Sequence, residues 1–157
     1  MSLYYAGIGS RETPADVLAL MTTIARRKAA DGYILRSGAA DGADSAFEAG
    51  ATAKEIYIPW LGFNSHPSKL VPTPEAFVMA AKFHPAWHKC KRGARALHAR
   101  NCHQVLGHDL ATPSSLVICW TKDAAGGGGT GQAIRIAKAH NITIHDLCDP
   151  EIRRIYT

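Results

Sequence analysis

The sequence predicts an α/β fold, an open parallel β-sheet with helices on both faces. Four short runs of β-branched and aromatic residues end in Gly, Pro or Ser, as strands do, and a fifth apolar run lies near the end of the chain. Residues at helical spacing fill the intervals between most of them. Strands that alternate with helices pair in parallel through right-handed crossovers.

The first strand is "LYYAGIG" (Leu3 to Gly9). Pro14 to Ala30 follows as a helix, because Val17, Leu18, Met21, Ile24 and Ala25 recur at its period, with Thr13 as N-cap and Pro14 in the first turn. "GYILRSG" is the second strand, Asp41 to Ala51 a short helix and "EIYIPW" the third strand. Leu61 to Ala111 interrupts the alternation with a loop carrying Pro67, Pro72 and Pro74. Two helices follow there, around Pro74 to Lys82 and Gly93 to Gly107, and read as a helical insertion or cap. "SLVICWT" is the fourth strand, and a helix through Ala133, Ile134, Ile136 and Ala137 leads past Asn141, a stop signal, to a last strand from Ile142 to Ile144. The order is Rossmann-like, and ligands of such sheets sit beyond the carboxyl ends of the strands.

With 157 residues, 46% of them hydrophobic, the chain suits one globular domain spanning 1–157. It has no apolar run of membrane-spanning length, and its first residues lack the pattern of a secretory signal, so a cytoplasmic protein is expected. Cys90, Cys102, Cys119 and Cys148 are scattered, which fits free thiols. The net charge of +5 points to an anionic partner, and the charge gathers in "KFHPAWHKCKRGARALHAR", residues 82–100.

Three loops on the carboxyl rim bring glycines to the start of a helix: "GIGSRET" (Gly7 to Thr13), "RSGAADGADS" (Arg36 to Ser45) and "AAGGGGTGQ" (Ala124 to Gln132). Backbone amides and the helix dipole favour an anion there. None of the loops has the dinucleotide spacing G-x-G-x-x-G or the P-loop Gly-Lys-Ser/Thr, which argues against a standard NAD dehydrogenase and a P-loop NTPase. Phosphate contacts are expected from Gly9, Ser10, Arg11, Ser37, Gly38, Gly127, Gly128, Gly129 and Thr130, with Asp44 also at the ligand and Gln132 able to meet a ribose or base edge. Arg100, in "LHARN", either reaches over the same rim from the insertion together with His98, or belongs to a basic amphipathic helix with Leu97, Cys102, Val105 and Leu106 toward the core and its charges in water.

"YAGIGSRETP", "LRSGAADGADSAFEAGA" and "GGGGTGQAIRIA" resemble the SLOG superfamily, which includes the DNA-processing protein DprA and the LOG phosphoribohydrolases. The nearest likeness is to small stand-alone DprA-like or YspA-like proteins of phages and bacteria. Ser37, Gly38, Gly42 and Asp44 are similar to their counterparts in the Ser-Gly-x-A-x-G-x-D segment of DprA, and the likeness leaves out about Phe63 to Leu110. It implies a bound nucleotide or nucleotide-derived signal, such as an ADP-ribose derivative or a cyclic nucleotide, held for sensing or sequestration. Sequestration would suit a phage countering a signal-based defence. It also implies a homo-oligomer, since similar domains often dimerise. The LOG motif P-G-G-x-G-T-x-x-E aligns on Thr130, but its catalytic glutamate falls on Ala133.

An N-ribohydrolase is the alternative, with Glu48, Asp44 or Glu12 as its carboxylate; Asp44 and Glu48 share a helix face. The bland reading makes Asp44 a complement to the helix dipole and Glu48 a solvated residue. A further alternative is DprA-like binding of single-stranded DNA through the basic segment, where stacking aromatics are sparse. His84, His88, Cys90, His98, Cys102, His103 and His108 lie close in sequence, and His84-x-x-x-His88 raises zinc, but Pro85 disfavours a helix at His84, no C-x-x-C pair occurs and the spacing matches no strong zinc pattern. No metal and no cofactor are expected.

Overall fold

The computed structural model describes residues 3–122 and 128–157. Five strands, β1 (Tyr4–Gly7), β2 (Ile34–Ser37), β3 (Lys54–Ile56), β4 (Leu116–Cys119) and β5 (Thr143–Asp146), pair in parallel in the order β3-β2-β1-β4-β5. Parallel neighbours need crossovers, and the helices supply them: α1 (Ala15–Ala30), α2 (Ala43–Gly50), α3 (Pro74–Phe83), α4 (Arg92–Leu106) and α5 (Gly128–Ala139), with α6 (Pro150–Ile155) closing the chain. This is the expected Rossmann-like architecture, with a helical insertion between the third and fourth strands.

Alternate residues of the central strands serve opposite faces, as the pleat requires. Tyr5 of β1 and Ile118 of β4 pack with Val17, Met21 and Ile24 of α1 and Phe47 of α2. Ala6, Val117 and Cys119 pack on the other side with Ala76 and Ala80 of α3, Ala99, Cys102 and Val105 of α4, and Ile134, Ile136 and Ala137 of α5. The insertion is therefore not a lid hung over the rim. Its helices form half of one core layer, and α4 is the crossover that carries the chain from β3 to β4.

Local signals work as physical chemistry dictates, with one exception. Thr73 caps α3 by accepting from the Ala76 amide at 3.3 Å, with Pro74 in the first turn. Thr13 does not cap α1; its hydroxyl donates to the Ser10 carbonyl at 2.6 Å, closing the turn before the helix, and Pro14 takes the N-cap position. Asn141 ends α5 with a left-handed φ of 56°.

Within β2, Arg36 is buried at 2% exposure. Its guanidinium donates to the Thr112 carbonyl (2.6 Å), the Ser114 hydroxyl (3.1 Å) and Glu55 (3.2 Å), and lies 3.8 Å from the Tyr4 ring centroid. A buried cation needs that many acceptors, and here they tie the segment entering β4 to β2. No described helix is long and apolar enough to cross a membrane.

The α1–α2 contact is made backbone to backbone. A Cβ on Gly50 would lie 2.2 Å from the Thr22 carbonyl oxygen and 2.9 Å from the Ala25 Cβ, while Thr22 donates to the Ala46 carbonyl at 2.8 Å. Gly50→Ala therefore forces the two helices apart and is expected to lower the unfolding free energy by about 2 kcal/mol, read from urea denaturation midpoints.

Candidate functional site

The strand order reverses direction between β1 and β4: the chain runs outward from β1 through β2 to β3, then returns to β4 on the other side. The loops after those two strands diverge and leave a crevice at their carboxyl ends. A cavity of about 640 Å³ occupies that position. Ile8, Gly9, Ser10, Arg11 and Glu12 line it from the loop after β1, Ala40 from the loop after β2 and Asp44 from the first turn of α2. Thr121 and Lys122 follow β4, and Gly128, Gly129, Thr130 and Ala133 belong to the first turns of α5. Arg100, Asn101 and Gln104 form the side contributed by α4.

Arg100 is buried, at 6% exposure. Its Nη1 donates to the Gly38 carbonyl and to the Tyr57 carbonyl (3.3 Å), and its Nε to Asn101 Oδ1 (2.9 Å). Asn101 in turn donates to the Gly129 carbonyl at 3.0 Å, tying α4 to the first turn of α5. A Cβ on Gly38 would lie 2.4 Å from Arg100 Nη1 and 2.2 Å from Gln104 Nε2, so only glycine admits the two side chains there. Burial lowers the Arg100 pKa from its ordinary value, against the pull of Asp44.

Asp44 is 4% exposed and accepts from the Ala40 amide at 3.2 Å. Burial pushes its carboxyl up to about 6, against the Arg100 guanidinium and the Ala40 amide, which favour the ionised form. The cavity thus holds a carboxyl poised near neutrality beside a fixed cation, with exposed Arg11 and Lys122 at its mouth.

The structure brings together Gly9, Ser10, Arg11, Glu12, Asp44, Arg100, Gly128, Gly129 and Thr130 around this cavity. Gly127 lies outside the described residues. Ser10 is partly engaged: its amide donates to the Trp120 carbonyl at 3.3 Å, and its hydroxyl accepts from the Glu12 amide at 2.9 Å. Ser37 and Gly38 sit beneath the cavity rather than on its wall, the Ser37 hydroxyl donating to the Gly7 carbonyl at 2.6 Å.

Three expected site residues point elsewhere. His98, expected over the rim beside Arg100, lies off the cavity on α4, its ring centroid 4.4 Å from that of His84. Gln132 is fully buried on the face of α5 turned to α3, where it donates to the Ala80 carbonyl (3.0 Å) and accepts from Arg135 (2.8 Å), so its amide is spent on packing. Glu48 lies off the cavity, bound by Lys54 at 2.9 Å and His66 at 2.8 Å. Against the upward push of partial burial, the hydrogen bonds from His66 and Lys54 hold its pKa below the usual carboxylate value.

Asn101, Gln104, Thr121 and Lys122 also line the cavity, beyond the residues expected from sequence. Asn101 closes the "LHARN" segment already assigned to the rim, so a one-turn helical reading from Arg100 reaches it and Gln104. Thr121 is positioned at long range: its amide donates to Asp146 Oδ1 at 3.1 Å and its hydroxyl to Asp146 Oδ2, while the Cys148 amide bonds Oδ1 at 3.1 Å. Asp146, at the end of β5, thereby fixes the loop after β4. No protein-family model, curated protein or solved structure matches the chain.

Because the folded-state pKa of Asp44 is raised above its ordinary 3.8, the folded protein binds this proton more tightly than the unfolded chain does. This group's stabilising contribution is full below about pH 4 and is lost as the pH rises to about 6, by at most ~3 kcal/mol at 1.36 kcal/mol per pKa unit. Asp44→Asn is expected to flatten the pH dependence of the denaturation midpoint in that window, and an unchanged slope would count against the buried carboxyl as its source.

Proposed function

We propose that the chain is a SLOG-like domain that binds a phosphate-containing nucleotide or nucleotide-derived signal in the β1–β4 cavity. The observation that carries this reading is the convergence, at the switch point of the sheet, of the α5 N-terminal turns with Arg11, Lys122 and the buried Arg100–Asp44 couple. The chemistry divides along the cavity. Amides and the hydroxyl of Thr130 at the start of α5 suit a phosphate, and Arg11 and Lys122 complement its charge. Ionised Asp44 can accept from two ribose hydroxyls, with Arg100 holding the charge in place. A volume of about 640 Å³ lies within the range of small-molecule sites.

A second reading has one observation in its favour. A carboxyl raised to about 6 is matched to proton transfer near neutral pH, so Asp44 is the group that would protonate or deprotonate a leaving base in N-glycosidic hydrolysis. Glu48, engaged by Lys54 and His66 away from the cavity, is a weaker candidate, and Glu12 stays available at the mouth.

A thermal-shift panel of nucleotides, ADP-ribose derivatives and cyclic nucleotides tests both. A ligand at a hundred times its Kd adds about 2.7 kcal/mol, a rise of several degrees in Tm, and Arg11→Ala with Lys122→Ala should weaken it more at low salt than at high. A panel in which nothing raises Tm overturns the binding reading. Mass spectrometry after incubation separates intact ligand from free base and ribose phosphate. If base is released, Asp44→Asn should cut the rate about a hundredfold or more.

A further inference from the structure

Apart from the cavity, three side chains converge where α3 ends and α4 begins. His84 follows the last residue of α3, Cys90 follows the 3₁₀ turn Trp87–Lys89, and His98 lies within α4. Pro85 prevents the helix from continuing, and the turn folds the chain back so that Cys90 returns to His84. Cys90 Sγ lies 3.7 Å from His84 Nε2 and 3.9 Å from Nδ1. The His84 and His98 ring centroids are 4.4 Å apart. One ligand atom from each residue lies within 4.8 Å of the other two. Among the described residues, His98 Nδ1 is a buried polar atom with no hydrogen-bond partner.

We propose that His84, Cys90 and His98 form a site for a borderline-soft divalent cation, Zn²⁺, with two imidazoles and one thiolate as ligands and a fourth position for water. The donor set selects the metal: the group contains no carboxylate, which disfavours Mg²⁺ and Ca²⁺, whereas nitrogen with thiolate suits zinc. The sulfur-to-nitrogen separation of 3.7 Å is close to the ~3.6 Å expected between ligands held 2.3 and 2.0–2.1 Å from a tetrahedral centre. The backbone that carries the ligands is also held. Arg95 donates to the Trp87 carbonyl and Arg135 to the Phe83 carbonyl, both at 3.1 Å, so the turn is fixed from two sides.

The site has a competitor built in. The Ala86 amide donates to His84 Nδ1 at 3.0 Å, and the Cys90 thiol donates to the Ala86 carbonyl at 3.6 Å. Zinc taken by His84 Nε2 leaves the ring proton on Nδ1, which opens the Ala86 amide contact, and the thiol proton leaves to solvent when Cys90 becomes a ligand. The cation would thus exchange two local contacts for a link between the end of α3 and α4, two residues before Arg100 and three before Asn101.

The test uses chelator-stripped, reduced protein titrated with Co²⁺. One equivalent should give a thiolate-to-cobalt charge-transfer band that Zn²⁺ removes, that Cys90→Ser abolishes and that Cys148→Ser leaves intact. Zinc retained after dialysis should fall at least tenfold in Cys90→Ser and in His98→Gln. On the wild-type chain, so that no variant need fold, zinc should protect Cys90 but not Cys148 from iodoacetamide, read by peptide mass spectrometry. A wild type with no charge-transfer band, a band that survives Cys90→Ser, or equal labelling of Cys90 with and without zinc would each overturn the proposal.

Discussion

Arg100 carries a charge that has almost no water around it, and the carboxyl edge of the sheet is arranged to make that tolerable. An arginine buried without acceptors would cost several kcal/mol. Here it draws on the Gly38 carbonyl after β2, the Tyr57 carbonyl after β3 and the amide of Asn101. Those partners belong to separate segments, so satisfying one side chain fixes where β2, β3 and α4 end relative to one another. Gly38 has no side chain because Arg100 and Gln104 occupy the space. Asp44 shares the enclosure, and its raised pKa reflects that the Arg100 charge only partly offsets its burial. Arg100, which anchors the scaffold, and Asp44 both face the cavity and supply part of its polar lining.

The two faces of the sheet solve the burial problem differently. On the α1–α2 face, aromatic and long aliphatic side chains such as Tyr5, Phe47 and Met21 fill the volume, with Gly50 allowing the helices to touch. On the other face, half of the buried residues that α3, α4 and α5 contribute are alanines, Ala76, Ala80, Ala99, Ala133 and Ala137. Small residues bring helix backbones close to the strands and to one another, which lets α4 project Arg100, Asn101 and Gln104 into the cavity while its opposite side, through Cys102 and Val105, remains in the core.

Strand and helix order was legible in the sequence because it rests on periodicity and punctuation, and both are local. So was the rim, since the loops after β1 and β2 and the start of α5 follow from that order. What escaped depends on the fate of individual polar groups. The neighbours of Gln132 in sequence point it at the ligand, but the helical register of α5 turns it toward Ala80. Glu48 meets His66 across a loop that carries no periodic signal. The burial of Arg36 and Arg100 runs against the usual preference of cations for water, and only partners far along the chain, such as Thr112 and Tyr57, make it stable. His84, Cys90 and His98 meet through a proline-terminated helix and a turn, a geometry with no fixed spacing to recognise.

The central strand has two neighbours at very different distances along the chain. Tyr5 of β1 pairs with Leu35 of β2, 30 residues on, and with Leu116 of β4, 111 residues on. Closing the longer loop costs about 1 kcal/mol more in chain entropy, and nothing local rewards it in advance. The cavity straddles that remote pairing. A molecule seated there would clasp the opening third of the chain to its closing third, and its occupancy would oppose the parting of the whole fold along its least local seam.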